Sequence, residues 1–355
     1  MVWLTGVGMT PFGKQLGSTT ISLMTEAATP QLMLSTLFAE HFGLQPRYAH
    51  GMQVGRATGL ATARLANLVA DSGAARNILV VAGENRMTGQ SRDMMVQTLA
   101  QAGQRQYEVP LSSTIPAYYG LVASRYMHET ELGAADLAQL AVLMRRNAAG
   151  HPGAQLRDPI TAEDVLASKP IAPPLKLMDL GPISDRAVAF NISADPVGGH
   201  ALRIRGCSQA HTHQHVTAAP SLTEFGAKAS SAQALASAGI GIGDIGYAGI
   251  YGSFTITLTI LLEEIGLSAR GASGRDVAAG RYDAIASLPL NTHGGLLSYD
   301  HCGVGGAFAH LVEMHRQLTS RAGDRQIAAE PALALMHGDG GIMSSHVSMV
   351  VERVS

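Results

Sequence analysis

Hydrophobic positions along this chain fall into two alternating kinds of run. Short apolar, β-branched stretches at Val2–Val7, Ile78–Ala82, Ala201–Ile204, Gly246–Ile250, Ala332–Met336 and Ser348–Val351 have the composition of strands. Between them lie longer Ala- and Leu-rich segments with helical spacing, which predicts helices over Gly59–Ser72, Ile115–Glu129, Ala134–Ala149, Thr223–Ala238, Thr255–Ile265 and Gly305–Arg321. Strands alternating with helices predict a layered α/β architecture. A weak internal repeat runs through it: Gly59 to Gly83 passes through loop, Ala-rich helix, turn, apolar strand and glycine, and Gly306 to Gly338 does the same.

Composition narrows the class. With 355 residues, 46% hydrophobic and 15% charged, the chain can bury a large core, and its length suggests two domains or one duplicated unit. Forty glycines without a Gly-rich repeat imply tight turns and close backbone approaches. A formal charge of −2 offers no basic field for nucleic acid, although local arginines could meet a phosphorylated cofactor. Cys207 and Cys302 are too few for a disulfide framework and suit a reducing cytoplasm. The opening Met1-Val-Trp-Leu-Thr5 lacks a basic segment before an apolar one, and no apolar run approaches the ~20 residues that span a bilayer. The expected location is cytoplasmic, with no membrane span.

One segment concentrates the chemistry. Asn291-Thr-His-Gly-Gly-Leu-Leu-Ser-Tyr-Asp-His-Cys-Gly-Val-Gly-Gly306 packs five glycines, two histidines, a tyrosine, an aspartate and a cysteine into a loop that ends at a predicted helix start. Backbone N–H groups and titratable side chains therefore converge there, as in an active-site loop. The loop resembles the Asn-x-x-Gly-Gly…Gly-His-Pro segment of the thiolase superfamily, most closely its sterol-carrier or lipid-transfer thiolase branch. The resemblance continues at Gly6-Val-Gly-Met-Thr-Pro-Phe-Gly13, Ile78-Leu-Val-Val-Ala-Gly-Glu-Asn-Arg-Met-Thr88 and Tyr251-Gly-Ser-Phe-Thr-Ile-Thr257. Pro174-Leu-Lys-Leu-Met-Asp-Leu-Gly-Pro-Ile-Ser-Asp185 and Leu335-Met-His-Gly-Asp-Gly-Gly341 match further family segments. It implies a duplicated thiolase fold layered α-β-α-β-α, with an N-terminal half over 1–220 and a C-terminal half over 221–355. It also implies a loop domain inserted over 89–174, which in the family covers the acyl-CoA tunnel and joins the subunit contact. Ala28–Gly43 is shorter than the family's corresponding region, which normally holds an extra strand.

What is missing shapes the expected chemistry. A thiolase activates a cysteine at the N-terminus of a buried helix and forms an acyl-thioester there. The family's Cys-Ala-Ser-Gly corresponds here to Arg56-Ala-Thr-Gly59, and no cysteine occurs anywhere in 49–71. The second family cysteine also lacks a counterpart, since the matching turn His337-Gly-Asp-Gly-Gly341 offers Asp339 and His337. His301 stands where the family's imidazole polarises the thioester carbonyl or activates the nucleophile. The steroid side-chain aldolases, a branch that also lacks the nucleophilic cysteine, are thought to use tyrosines in and beyond this loop for proton transfer. That makes Tyr299, Asp300, His301, Asp339 and His293 the catalytic candidates. Cys302, in the place of the family's proline, is a candidate nucleophile as well as a small buried hydrophobe. The expected substrate-binding set is Arg56, Asn291, Gly294, Gly295, Tyr251, Ser253, His337 and Gly340. Gly252 removes the acidic, amide or His side chain with which the family orients an active-site water.

Other features carry less. Ala210-His-Thr-His-Gln-His215 alternates histidines without a partner at a recognised metal spacing, and no phosphate-cradling Gly motif is present. No metal or permanently bound cofactor is expected, coenzyme A entering as part of the substrate. Two reaction classes compete: cysteine-independent aldol chemistry on a β-hydroxyacyl-CoA, and thiolase-type acyl transfer through Cys302 or directly. A thiolase homologue that only binds acyl-CoA or lipid, or scaffolds a partner, is the third. The resemblance further implies a homodimer and a small zinc-ribbon/OB-fold (DUF35-type) partner.

Overall fold

The computed structural model describes residues 1–9, 34–88, 93, 99–100, 103–111 and 114–354. The family-like turn at 10–13, residues 28–33 of the short stretch and most of 89–102 lie outside the described residues. Nine strands are described: β1 Val2–Met9, β2 Asn77–Asn85, β3 Pro170–Ala172, β4 Leu175–Lys176, β5 Asp185–Ser193, β6 Leu202–His211, β7 Tyr247–Ile250, β8 Leu333–Gly340 and β9 Ser345–Arg353. The helices that matter below are α1 Leu34–His41, α2 Thr58–Asp71, α3 Ile115–Glu129, α4 Ala134–Ala149, α5 Ala162–Ala167, α6 Ala227–Ala238, α7 Thr255–Ile265, α8 Ser273–Ala278 and α9 Gly306–Leu318.

Seven strands form one sheet in the order β2-β5-β1-β6-β9-β8-β7, and β3 pairs with β4 in a small separate hairpin. Among the described residues, the two parts of the seven-stranded sheet pair at Val2–Leu4 against Leu202–Ile204. In the C-terminal part the first strand, β6, lies beside the last, β9, which lies beside the third, β8, with the second, β7, outermost. The N-terminal part repeats the order first, last, third in β1, β5 and β2, but no described strand takes the place of β7. That position coincides with the segment that is short in the sequence. The weak internal repeat is thus a repeat of topology.

Between the two parts lie α2 and α9, which pack on each other and on strands of both. A side chain at Gly59 of α2 would put its Cβ 2.7 Å from the Phe308 ring of α9, whose ring centroid lies 5.1 Å from that of Phe190 in β5. The opposite face of β6 and β9 is covered by α6, so closely that a Cβ on Gly206 would lie 2.3 Å from the Ala234 carbonyl. This arrangement is a thiolase-like α/β fold. Helix α7 is apolar nearly all round, and Thr255 to Leu262 are buried, as expected of a helix inside the core.

Helices predicted from spacing at α3, α4 and α7 occupy the predicted residues. The one before β7 begins later than expected, at Ala227, because Glu264 of α7 caps it by accepting from the N–H groups of Ala227 (3.0 Å) and Lys228 (3.3 Å). Strand β5 is not predicted by hydrophobic pattern. It opens on Asp185 and Arg186, which read as loop residues in sequence yet are 0% and 1% exposed. Both are paired, as buried charges must be.

Candidate active site

Helix α2 starts where the turn Val54–Ala57 lies against the end of β8. A Cβ on Gly340 would sit 2.2 Å from the Val54 carbonyl, and one on Gly55 would sit 2.8 Å from the Gly341 nitrogen. The Thr58 hydroxyl accepts from the Val54 N–H at 3.0 Å and donates to the Gly55 carbonyl at 2.5 Å, which ties the turn. Arg56 is held at its tip. Its guanidinium makes no hydrogen bond or ion pair with a described residue, and Nη1 is shut off from solvent. Burial works against its charge, but Tyr251, Tyr119, Asp339 and Glu84 lie in electrostatic reach and raise its pKa overall.

Around that cation stand three fully buried groups and a half-buried imidazole. The Tyr119 hydroxyl of α3 donates to Asp339 Oδ2 at 3.4 Å, with the Gly341 carbonyl at 3.3 Å, while its ring stacks on Phe254 at 4.1 Å. Asp339 Oδ1 has no partner, and burial raises this carboxyl well above the carboxylate range despite Arg56. Tyr251, just beyond β7, places its hydroxyl 3.1 Å from His301 Nε2. Burial lowers His301 well below the ordinary imidazole range, helped by Arg56 and Arg86, and burial raises the Tyr251 phenol. At neutral pH the pair is therefore a neutral phenol against a neutral imidazole, one proton donor and one acceptor. Glu84 and Arg86 pair with each other beside Gly303. Gly303 has φ +62°, and a Cβ there would lie 2.0 Å from Glu84 Oε2, so glycine is required.

The histidine loop divides the sequence candidates. His301 joins the Arg56 group, whereas Tyr299 turns into a second buried cluster and makes no hydrogen bond with His301. Arg186 Nη1 donates to the Tyr299 hydroxyl at 2.7 Å, and the guanidinium lies 4.5 Å from the ring centroid. Burial raises Tyr299 to about 12. Asp300, fully buried, pairs with Arg186 Nε; burial raises its pKa and Arg186 opposes the rise. The Tyr299 ring meets His151 at 4.6 Å and His293 at 4.9 Å, and His293 meets His310 at 4.8 Å. His293 is lowered well below the imidazole range, by burial first and then by His310. Cys302 is 0% exposed, and burial, then Asp300, push its thiol well up, opposite to what an activated nucleophile needs.

Several expected substrate contacts are engaged elsewhere. Asn291 accepts from the Ile250 N–H at 2.9 Å and donates to the Ile250 carbonyl at 2.8 Å, stitching the loop to β7. Gly294 and Gly295 pack on α4, where added Cβ atoms would lie 2.5 Å from Ala148 Cβ and 2.7 Å from Met144 Sδ. His337 lies beneath α6, its Nδ1 2.8 Å from Ser348 Oγ and its Nε2 3.2 Å from His346 Nδ1. Ser253 is buried and uses its carbonyl to accept from the Gly181 N–H at 2.9 Å. A Cβ on Gly252 would lie 2.9 Å from Leu258 Cβ, so Leu258 fills that space. His211 bonds Ser345 and His213 the Ile342 carbonyl; no group of three metal-ligating residues is found among the described residues.

Three contributors escape sequence inspection: Tyr119, Arg186 and Glu84. Tyr119 had one faint signal, a tyrosine pair on the buried face of a predicted helix; the arginine and glutamate sit in or beside strands, where charge argues against burial.

The Thiolase C-terminal domain-like family matches residues 208–353. The chain is 28% identical over 324 residues to the acetyl-CoA acetyltransferase of Methanothermobacter thermautotrophicus, covering 88% of this chain and 83% of that protein. It is 33% identical over 205 residues to the steroid side-chain-cleaving aldolase of Thermomonospora curvata, covering 53% and 51% of the two chains. Among solved structures, the Ltp2-ChsH2(DUF35) aldolase superimposes with a TM-score of 0.83 at 23% identity, covering 99% of this chain and 97% of that one. A monomeric SCP2-thiolase like protein type 1 from Mycobacterium smegmatis superimposes with a TM-score of 0.71 at 16% identity, covering 100% and 77%. With the sheet order and the central pair of helices, these likenesses support one reading: a protein of thiolase-like fold, similar to enzymes of the thiolase superfamily and, in fold, to an SCP2-thiolase-like protein.

Proposed function

We propose that this protein makes or breaks a carbon–carbon bond of a coenzyme A thioester without a covalent cysteine intermediate, by retro-aldol cleavage of a β-hydroxyacyl-CoA or its reverse. The observation that carries this is the residue at the tip of the α2 turn. Arg56 stands where a thiolase holds its nucleophile, and a guanidinium cannot carry an acyl group. Retro-aldol cleavage needs no such group. A base takes the proton of the β-hydroxyl, the Cα–Cβ bond breaks, an aldehyde or ketone leaves, and the electron pair remains on the thioester enolate, which is then protonated at Cα. The Tyr251–His301 pair, neutral and 3.1 Å apart, supplies an acceptor and a donor for those protons. His301 precedes α9, whose N-terminal end favours the developing enolate charge. Arg56 holds the substrate.

The aldolases of similar sequence and fold support this reading, as does the acetyltransferase at the level of acyl-CoA chemistry. Coenzyme A is then substrate rather than resident cofactor. By analogy with the Ltp2-ChsH2(DUF35) aldolase, the protein works with a DUF35-type partner; the homodimer is what the family resemblance implies. Acyl transfer through Cys302 is the weaker route, because its thiol is enclosed and held protonated.

The test is turnover by the purified protein, alone and with a DUF35-type protein, of 3-hydroxyacyl-CoA esters, with the released carbonyl compound trapped as a hydrazone. Thiolysis of 3-ketoacyl-CoA esters accompanied by an acyl adduct on Cys302 would replace the lyase by the transferase. Tight acyl-CoA binding without turnover of either would reduce the protein to a binder.

A further inference from the structure

We infer that the acyl group of the substrate carries a carboxylate of its own and that Arg56 receives it. The inference rests on the acyl-CoA reading above and adds the substrate's chemical class. The cations of the site region are otherwise matched: Arg86 pairs with Glu84, Arg186 with Asp300, and Arg325 with Glu313 at 2.5 Å. Arg56 is not matched. No described carboxylate lies within ion-pair distance of it, and its Nη1 is closed to solvent without a partner. Asp339, the acidic side chain nearest in role, is 0% exposed and spends Oδ2 on Tyr119, leaving Oδ1 unpartnered. Tyr119 and Tyr251, also 0% exposed, are neutral phenols at physiological pH.

Arg56 as a whole is half-buried, but a guanidinium nitrogen closed to water without a partner is costly unless an anion joins it. A transient enolate does not meet that need in the resting complex, because it exists only after the carbon–carbon bond has broken. A permanent carboxylate on the bound acyl group does. Its two oxygens match the planar fork of a guanidinium, and the Thr58 hydroxyl bonds keep the turn that presents Arg56 rigid. Asp339 Oδ1 completes the fit, since a protonated carboxyl donates a hydrogen bond that an anionic ligand accepts.

Calorimetric titration of the full-length protein compares 3-hydroxyglutaryl-CoA with 3-hydroxybutyryl-CoA, which differ only in the terminal carboxylate. The expected result is about tenfold or tighter binding of the carboxylated ester, the range of one charge-assisted contact. Arg56→Gln should erase this preference. Arg56→Lys, which keeps the charge and loses the fork, should retain part of the preference if Arg56→Gln fails to fold. Equal binding of the two esters by the wild type, or a preference that survives Arg56→Gln, overturns the inference and leaves the acyl-CoA reading standing. Failure to bind either ester removes both.

Discussion

His310 offers a direct measure of how strongly the interior of this protein excludes charge. It lies on α9 at 1% exposure, its ring edge-on to His293 at 4.8 Å, and neither ring nitrogen has a hydrogen-bond partner. Burial lowers its pKa from the ordinary 6.5 to about 3. Between those values the unfolded chain binds a proton there and the native protein does not, so stability is full above pH 6.5 and falls as pH drops toward 3. At pH 5 a group with an unfolded value near 6.5 costs about 2 kcal/mol relative to pH 7. His151, lowered to about 3, and His315 and His346, each lowered to about 4, act in the same direction. Four such groups approach 8 kcal/mol together, comparable with the whole stability of an ordinary domain, roughly 5–15 kcal/mol. His310→Leu, close in volume, removes one of them. Urea unfolding followed by circular dichroism at pH 7, 6 and 5 should show the wild type losing about 2 kcal/mol more than the variant across that interval. Parallel losses would refute the reasoning and mean that His310 is protonated in the native protein.

The remaining predictions concern the site. Tyr251→Phe should lower kcat by ~10²–10⁴-fold, the usual worth of a positioned acid or base, whereas Tyr299→Phe, which removes the acceptor of an Arg186 bond, should cost about 1–3 kcal/mol of stability and less than tenfold in kcat. Steady-state kinetics and chemical unfolding on the same samples separate the two roles. Cys302→Ala should keep most of the activity, and the wild-type thiol should resist iodoacetamide at pH 8 until the protein is unfolded; a loss of ~10⁴-fold would restore Cys302 as a nucleophile. Gly340→Ala should drive a Cβ into the Val54 carbonyl and displace the Arg56 turn, with a loss of about 1–3 kcal/mol in stability together with weaker acyl-CoA binding, both read by thermal shift with and without ligand. Incubation with acetyl-CoA should leave no acyl adduct on residues 50–72 by peptide mass spectrometry.

Much of the site was legible because its chemistry is compressed into short segments. The loop from Asn291 to Gly306, the arginine at the start of a predicted helix and the turn at Asp339 were each identifiable without coordinates. Their grouping was not. Tyr299 and His301 are two residues apart, but a π-helical turn over Gly295–Tyr299 gives way to an extended Asp300, and each side chain meets different neighbours. Asn291, Gly294 and Gly295 carry a family-like pattern, yet they bond β7 or pack on α4, because a buried loop must itself be anchored. Tyr119 was hidden among the apolar residues of its helix, and only the approach of α3 to the end of β8 gives its hydroxyl an acidic partner.

Local pattern by itself determined the longer helices, most of the strands and the α/β class, since these depend on residue spacing and identity within a few turns of chain, and the family resemblance added that the thiolase cysteine has no counterpart. Tertiary structure alone decided that β5, opening on Asp185 and Arg186, is a strand inside the sheet, between β2 and β1. It also decided that the N-terminal part lacks a described counterpart of β7, and that Arg56 has no ion-pair partner among the described residues. The physical reason is shared by the strand β5 and by Arg56. Whether a charge can be buried depends on which partner the fold brings to it, and partners such as Asp300 for Arg186 lie more than a hundred residues away in sequence.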